Sequence, residues 1–272
     1  MYLTRHETPL GPRWAVDGEF LPPSFELSLL LELPKEAVEP FLATMRTGEP
    51  AEGELLAPIE PAQEVWASGV TYLRSRDARQ AESESGDIYA RVYLAERPEL
   101  FLKAVGWRVV GHQADIRVRP DSSWNVPEPE LTLVINSRGE VVGFCAGNDV
   151  SSRSIEGANP LYLPQAKVYA GSCALGPGIQ IAEADDLRAL PIKLQILRDD
   201  VLTYEGDIDT GQMKRSFEGL VSYLYSQLDF PRGAFLMTGT GIVPPDDFSL
   251  QGGDVVRIGV GDLTLINAVA PE

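Results

Sequence analysis

Short apolar runs separated by turn residues occupy most of the chain after about residue 95. Runs of this length, bounded by Gly, Pro, Asn and Asp, are typical of β-strands. The pattern predicts strands at 131–135, 141–145, 192–197, 235–237, 255–260 and 263–269. We therefore expect a predominantly β protein.

Two stretches instead have the composition of helices. Residues 72–95 are rich in Arg, Glu, Ala and Ser and contain no Pro, which predicts a helix with a break at Ser85-Gly86-Asp87. A second helix is predicted near residues 213–227. The helices are few, so they are expected to accompany the sheets rather than form a separate bundle.

The first 60 residues differ from the rest because they contain eight prolines. They hold one short apolar run at 27–33 and a predicted helix at 35–46. A proline-containing connection at 57–61 then leads into the remainder. We predict a small N-terminal subdomain over 1–60 and a larger domain over 61–272.

Charge and length narrow the range of partners. The chain has 272 residues, with 23 Lys and Arg against 40 Asp and Glu, giving a formal charge of −17. Such a surface repels nucleic-acid phosphates and anionic lipid. Charged residues interrupt 1–20, and no apolar run approaches the ~18 residues that would span a bilayer. The sequence therefore predicts a soluble cytoplasmic protein that binds neither nucleic acid nor membrane.

Imidazoles and thiols are scarce. His6, His112, Cys145 and Cys173 are the only ones, too few for a clustered four-ligand zinc site or a three-histidine one. Any metal must be bound mainly by oxygen, which favours Mg²⁺, with Mn²⁺ and Ca²⁺ as alternatives. The two cysteines are interpreted as buried thiols of a cytosolic protein.

Three carboxylates are predicted to converge on a β-hairpin over residues 126–149. Alternate residues of a strand share a face, so Glu128 and Glu130 project together. If Arg138-Gly139 forms the tip of the hairpin, the numbers of any two residues that face each other add up to 277. By this rule Asp149 lies opposite Glu128. A divalent cation would relieve the repulsion within this cluster. The alternative is that the three are solvated charges at strand ends, since a one-residue slip would reverse their facing.

Two lysines lie in unusual surroundings. Lys167 is the only basic residue between Arg153 and Arg188, among apolar and small neighbours. Such a lysine can act as a general base or bind an anionic substrate, and an ordinary surface lysine is the alternative. Lys103, in Phe101-Leu102-Lys103, allows the same interpretations with less supporting context.

Several short motifs occur in order along the chain. They are Glu128-Pro129-Glu130, Asn148-Asp149-Val150-Ser151, Lys167, Gly176-Pro177 and Thr238-Gly239-Thr240. In this combination the chain resembles the fumarylacetoacetate hydrolase family over roughly residues 62–270. The segments 65–69, 97–101, 124–130 and 159–165 are similar to those of the family members that dehydrate 2-keto-3-deoxy sugar acids.

The resemblance implies a fold and a set of site residues. The implied fold is α+β and predominantly β, a mixed-sheet roll preceded by the small N-terminal subdomain. Glu128, Glu130 and Asp149 would bind Mg²⁺, and Lys167 and Glu99 would lie at the reacting carbons. Lys103 and Thr240 are expected to contact the substrate. Members of the family are commonly dimers or larger homo-oligomers, so a dimer or tetramer is expected.

One departure from the family pattern favours dehydration. The hydrolases carry a Gly-x-x-Tyr segment followed by a histidine that activates water, but here Gly69-Val70-Thr71-Tyr72 continues without one. Without that imidazole base, hydrolysis of a carbon-carbon bond is disfavoured.

The resemblance then implies a Mg²⁺-dependent lyase of pentose metabolism, which converts a substrate such as 2-keto-3-deoxy-D-arabinonate to 2,5-dioxopentanoate through a metal-stabilised enolate. Lys167 would remove the C3 proton, and Glu99 would protonate the departing C4 hydroxyl. The alternative enzyme is a hydrolase, isomerase or decarboxylase of the same family, acting on a 2-oxo acid or an acylpyruvate. A further alternative is a non-catalytic β protein whose carboxylates are surface charge.

Overall fold

A computed structural model describes residues 1–82 and 86–271. Within them, sixteen strands and seven α-helices occur. The strands are β1 (Tyr2–His6), β2 (Arg13–Val16), β3 (Glu19–Phe20), β4 (Leu55–Leu56), β5 (Glu64–Gly69), β6 (Glu99–Val105), β7 (Asn125–Val126), β8 (Pro129–Ile135), β9 (Val141–Asp149), β10 (Ser151–Ser152), β11 (Cys173–Ile181), β12 (Pro191–Arg198), β13 (Val201–Asp209), β14 (Ala234–Met237), β15 (Val255–Val260) and β16 (Leu263–Ala268). The helices are α1 (Leu27–Leu30), α2 (Lys35–Thr44), α3 (Leu73–Glu82), α4 (Gly86–Leu94), α5 (Arg153–Ala158), α6 (Leu163–Lys167) and α7 (Phe217–Leu224).

A ten-stranded mixed sheet organises the fold. Its strand order is β3-β2-β1-β11-β9-β8-β14-β5-β6, and β4 also pairs with β1. Neighbouring strands are antiparallel except β14 and β5, which run parallel. A four-stranded antiparallel sheet in the order β13-β12-β15-β16 and a two-stranded pair of β7 and β10 complete the sheets. The predicted mixed-sheet, predominantly β architecture is confirmed.

The central hairpin of β8 and β9 is covered on both faces. On one face, Leu133 and Phe144 pack with side chains of β12 and β15, including Leu194. On the opposite face, Val134 packs in a second apolar cluster with Leu3 and other residues of the N-terminal segment. Strands buried on both sides need continuous apolar runs, which is the pattern of residues 131–135 and 141–145. The hairpin is therefore the most enclosed part of the fold.

The N-terminal segment extends the main sheet. Strand β1 pairs with β11 in the register Tyr2 to Gln180 and Leu3 to Ile179. Residues before 60 thus contribute β1 to β4 to the same sheet as the central hairpin. The division into subdomains at residue 60 stays a prediction.

Each of the six predicted strands is present, with ends shifted by up to four residues. Ten of the described strands were not predicted, namely β1 to β7, β10, β11 and β13. Strand β11 contains Gly176 and Pro177 and has an irregular register with β9 after Gly176, so it lacks a regular apolar pattern. Strand β13 pairs only with β12 at the sheet edge, and its polar side chains are mostly exposed.

The predicted helices are shorter than expected. Helix α2 covers most of 35–46, and α7 covers the centre of 213–227, beginning after Ser216, whose Oγ accepts a hydrogen bond from the Gly219 N–H. Within 72–95 the described residues form α3 and α4. Of the predicted break, Gly86 and Asp87 begin α4, and Ser85 lies outside the described residues. No helix in the described ranges is both long and apolar enough to cross a membrane.

Candidate active site

The register of the central hairpin places the acidic residues together. Pro129 pairs with Asn148 and Glu130 with Gly147, so paired numbers sum to 277 from Pro129 to Val134. The Asp149 N–H donates to the Glu128 carbonyl at 3.0 Å, which continues the ladder beyond Pro129. The irregularity in the register lies toward the tip, between Val134 and Ile135. The predicted pairing of Glu128 with Asp149 is confirmed.

The three carboxylates converge on one point. One oxygen each from Glu128, Glu130 and Asp149 lies within 4.8 Å of the other two. Their side chains are buried, with residue exposures of 4%, 1% and 1%. Hard carboxylate oxygens at this spacing fit the octahedral shell of a small divalent cation such as Mg²⁺. The alternative of solvated surface charges does not fit this burial.

Lys167 lies between two of these carboxylates. It is the last residue of α6, and its Nζ donates to Glu128 Oε2 and to Asp149 Oδ2, both at 2.9 Å, and to Ser151 Oγ at 2.6 Å. The residue is 2% exposed, which excludes the ordinary surface lysine. Ser151 belongs to β10, which follows the hairpin directly. This position brings the Ser151 hydroxyl beside the carboxylates, where it accepts from Lys167.

Lys103 is fully buried beneath Asp149. Its Nζ lies 2.5 Å from Asp149 Oδ1 and donates to the Val150 and Lys167 carbonyls at 3.1 and 2.5 Å. The cavity described below is lined by other residues. Lys103 thus lies behind the carboxylates, and its contact with a substrate stays a prediction.

Two charged residues of α5 were not identified from the sequence. Arg153 Nη2 donates to Glu128 Oε1 at 3.1 Å, and Arg153 is 2% exposed. Glu156, one helical turn later, is 4% exposed and lines the cavity. The sequence offered one indication of their role, which was proximity, because Arg153 follows the predicted metal ligand Asp149 by only four residues.

A small, partly open cavity joins Glu128 and Asp149 to three other candidates. It is lined by Ser68, Gly69, Val70, Ser75, Tyr89, Glu99, Phe101, Glu128, Asp149, Glu156, Lys167, Gly239 and Thr240. The structure thus brings together Glu99, Lys167 and Thr240, as expected from the sequence. Its volume of about 20 Å³ accommodates about one water molecule.

A glycine provides the space for the Glu99 carboxylate. Gly69 ends β5 and pairs with Glu99, the first residue of β6. A Cβ atom at Gly69 would lie within 2.1 Å of Glu99 Oε2, so any larger residue would displace that group. The position of the proposed acid therefore depends on a neighbour that has no side chain.

The surroundings of Glu130 strongly favour its protonated form. Burial raises its pKa well above 4.5, and the nearby charges of Asp149 and Glu128 raise it further. Lys167 and the Gly239 N–H, which donates to Glu130 Oε2 at 2.6 Å, act in the opposite direction. Glu130 therefore binds a proton readily, and a divalent cation would compete with that proton.

Neither histidine of the chain lines the cavity. His112 Nδ1 accepts from the Ile266 N–H at 3.2 Å, and burial lowers the His112 pKa. His6 shares a hydrogen bond of 2.8 Å with Thr4 on β1. Both residues have structural roles, and the cavity offers no imidazole base.

Known proteins resemble this chain in sequence. The family model described as fumarylacetoacetate (FAA) hydrolase C-terminal matches residues 64–270. A probable 2-keto-3-deoxyxylonate dehydratase of Haloferax volcanii is 49% identical over 212 residues, which are 76% of this chain and 72% of that protein. A 2-dehydro-3-deoxy-D-arabinonate dehydratase of Saccharolobus solfataricus is 43% identical over 220 residues, which are 78% of this chain and 73% of that protein.

Solved structures extend the similarity to the whole fold. A hexagonal crystal form of 2-keto-3-deoxyarabinonate dehydratase is 34% identical, with a TM-score of 0.86 over 100% of this chain and 99% of that one. A complex of 2-keto-3-deoxy-D-arabinonate dehydratase with magnesium and 2,5-dioxopentanoate is 33% identical, with a TM-score of 0.80 over the same shares. The motifs, the sheet topology and these matches agree, and the chain belongs to the fumarylacetoacetate hydrolase family.

Proposed function

We propose that this chain is a Mg²⁺-dependent dehydratase of 2-keto-3-deoxy sugar acids, with 2-keto-3-deoxy-D-arabinonate as an example substrate and 2,5-dioxopentanoate as product. The observation that carries this proposal is one buried cavity that joins a carboxylate cluster to Lys167 and Glu99 and contains no histidine. The similarity to dehydratases at 43–49% identity supports the same reaction.

Glu128, Glu130 and Asp149 would hold the cation. Bound Mg²⁺ would supply Lewis acidity, which polarises a 2-oxo acid and makes its C3 proton more acidic. The protein contributes the fixed position of the three carboxylates, because the hairpin register and the buried cations around them leave little freedom of movement.

Lys167 is the proposed base for the C3 proton, in the neutral amine form that burial and a cation bound beside it would favour. Its Nζ has three acceptors at 2.6–2.9 Å, Ser151 Oγ and two carboxylate oxygens, so the nitrogen is fixed beside the proposed cation position. A base must lie within hydrogen-bonding reach of the proton that it removes. This position beside the 2-oxo group suits removal of a proton from the adjacent carbon.

Glu99 is the proposed acid. It lies in the same cavity on β6, and in its protonated form it would donate a proton to the C4 hydroxyl as the C4–O bond breaks and water leaves. Loss of one C3 proton and the C4 hydroxyl gives an unsaturated acid, which tautomerises to 2,5-dioxopentanoate. One base and one acid on separate elements therefore account for the elimination.

Hydroxyl groups in the cavity are proposed to bind the substrate. Ser68 Oγ is buried and has no hydrogen-bond partner among the described residues, so it can bind a substrate oxygen without losing a protein contact. Thr240 lines the same space. A five-carbon acid is larger than about 20 Å³, so the cavity must widen when the substrate binds.

The test is an assay with 2-keto-3-deoxy-D-arabinonate, with and without Mg²⁺. We expect Mg²⁺-dependent formation of 2,5-dioxopentanoate, which is lost after chelation and restored by added Mg²⁺. Acylpyruvates and oxaloacetate serve as competing substrates. Cleavage or decarboxylation of these, without dehydration of the sugar acid, would establish the alternative enzyme of the same family.

We further propose that the enzyme acts in the cytoplasm, in pentose metabolism, as a homodimer or homotetramer. Two free, buried cysteines support a reducing compartment. Light scattering coupled to size exclusion tests the oligomeric state, and a single species at 29.7 kDa would contradict it.

A further inference from the structure

The two oxygens of each metal-binding carboxylate have different partners. Asp149 Oδ2 accepts from Lys167, whereas Asp149 Oδ1 lies 2.5 Å from Lys103 Nζ. Glu128 divides its oxygens in the same way, Oε2 toward Lys167 and Oε1 toward Arg153 at 3.1 Å. In both residues, one oxygen accepts from Lys167 and the other forms an ion pair with a second buried cation.

Glu130 follows the same arrangement with a backbone donor. Its Oε2 accepts from the Gly239 N–H at 2.6 Å. Each of the three carboxylates therefore has one oxygen engaged by a group other than Lys167. A carboxylate that is held by one oxygen has limited freedom to rotate and offer both oxygens to a single ion.

Whether each carboxylate offers one oxygen or two affects which cation fits the site. Ca²⁺ accepts six to eight oxygens at 2.3–2.6 Å and readily takes both oxygens of one carboxylate, whereas Mg²⁺ requires an octahedron at 2.0–2.1 Å. Three carboxylates that offer one oxygen each leave half of an octahedron for water and substrate oxygens. They fill half or less of the six- to eight-oxygen shell of Ca²⁺.

We propose that Lys103 and Arg153 are positioning residues that set the preference of this site for Mg²⁺ over Ca²⁺. They do so by retaining Asp149 Oδ1 and Glu128 Oε1, so that each carboxylate contributes a single oxygen. Lys103 therefore acts behind the metal ligands. The inference rests on the proposed metal site but concerns only the partners of its ligands.

The test compares Mg²⁺ and Ca²⁺ affinities by calorimetry, without substrate, for the wild type, Lys103→Met and Arg153→Met. Both variants keep much of the side-chain length but release a carboxylate oxygen. We expect Mg²⁺ affinity to fall about 10–100-fold, as is typical when a partner of a metal ligand is removed, and Ca²⁺ affinity to fall much less. The Ca²⁺-to-Mg²⁺ affinity ratio should then rise by about 5- to 50-fold.

Arg198→Met is the matched control. Arg198 forms two contacts of 2.7 and 2.8 Å with Asp254, which is buried outside the cavity. This variant also removes a cation from a buried carboxylate, and its affinity ratio should equal that of the wild type. Arg153→Lys keeps the charge and should largely restore the ratio.

Equal losses of Mg²⁺ and Ca²⁺ affinity in both variants would overturn the inference and leave the two residues with a purely structural role. If a Met variant does not fold, a crystal structure of the wild type with Mg²⁺ decides instead. Single-oxygen coordination by Asp149 and Glu128 supports the inference, and two-oxygen coordination by either overturns it. A wild type that binds neither cation would refute the proposed metal site itself.

Discussion

The two sides of the cavity are built differently. The side that carries the proposed metal ligands is a hairpin in which each residue of β8 and β9 is buried, and its ladder and buried cations fix the side chains. The side that carries Glu99 is the edge strand β6, which is partly exposed, and an empty space at Gly69 positions the carboxylate. The proposed metal site therefore depends on a rigid core, whereas the proposed acid depends on a few local contacts.

The strongest test of this comparison removes one metal ligand. Glu130→Gln keeps the shape of the side chain but removes the charge, so we expect Mg²⁺ binding to be lost and dehydration to fall by about 10³-fold or more, since a Lewis acid contributes several kcal/mol. Calorimetry and the dehydration assay measure the two effects. Retained Mg²⁺ affinity would show that the cation binds elsewhere.

Glu99→Gln should separate the two sides. Removal of a general acid lowers kcat by about 10²–10³-fold, while Mg²⁺ affinity should stay within about twofold of the wild type, because Glu99 is not one of the three converging carboxylates. The kcat of this variant, measured at saturating Mg²⁺, checks the prediction. A parallel loss of Mg²⁺ affinity would mean that the two sides form a single unit.

The same contrast explains what the sequence could predict. The hairpin was predictable because continuous apolar runs, one glycine-containing loop and a period of two fix both its register and the faces of Glu128, Glu130 and Asp149. The environment of Lys103 could not be predicted. Its strand, β6, is an irregular edge strand, and no neighbouring residue in the sequence indicates that Lys103 contacts Asp149.

Residues on short helices were also difficult to identify. Arg153 and Glu156 belong to a six-residue helix, too short for apolar periodicity to indicate which face is buried. The fold class was predictable, but ten of the described strands, including β11 and β13, were not. An irregular register breaks the pattern in β11, and exposure removes it in β13.

Gly69→Ala sharpens the comparison without altering a charged group. The added Cβ would meet the Glu99 carboxylate, which must move because it is the end of a flexible side chain. We expect kcat to fall about 10–100-fold, as small displacements of a catalytic group do. The melting temperature and Mg²⁺ affinity should change little. Unchanged kcat would show that the position of Glu99 is not critical.

The pH dependence of metal binding tests the buried side. Because the Glu130 pKa is raised in the folded protein, protons compete with Mg²⁺, and Mg²⁺ affinity should rise with pH by up to about tenfold per unit until that pKa is passed. The metal-free protein should show the opposite trend in stability. Its folded state binds more protons than its unfolded state, so the free energy of unfolding should fall as pH rises from about 4.5 through the raised pKa.

Melting curves across this pH range, with and without Mg²⁺, measure both effects, and Glu130→Gln is the control that should remove most of the metal-free trend. A metal-free stability that rises with pH over the same interval would contradict the assigned direction of the Glu130 pKa.

Ser68→Ala should have the smallest effect and concerns the side opposite the metal ligands. Ser68 Oγ is buried in the cavity without a hydrogen-bond partner among the described residues, so its loss costs the folded protein almost nothing. If it donates to a substrate oxygen, KM should rise about 3- to 10-fold, the equivalent of one hydrogen bond, with kcat and Mg²⁺ affinity unchanged. A KM equal to that of the wild type would mean that the substrate does not reach Ser68. A fall in kcat at constant KM would place this hydroxyl beside the reacting carbons, where it would assist Glu99 in expelling the C4 oxygen.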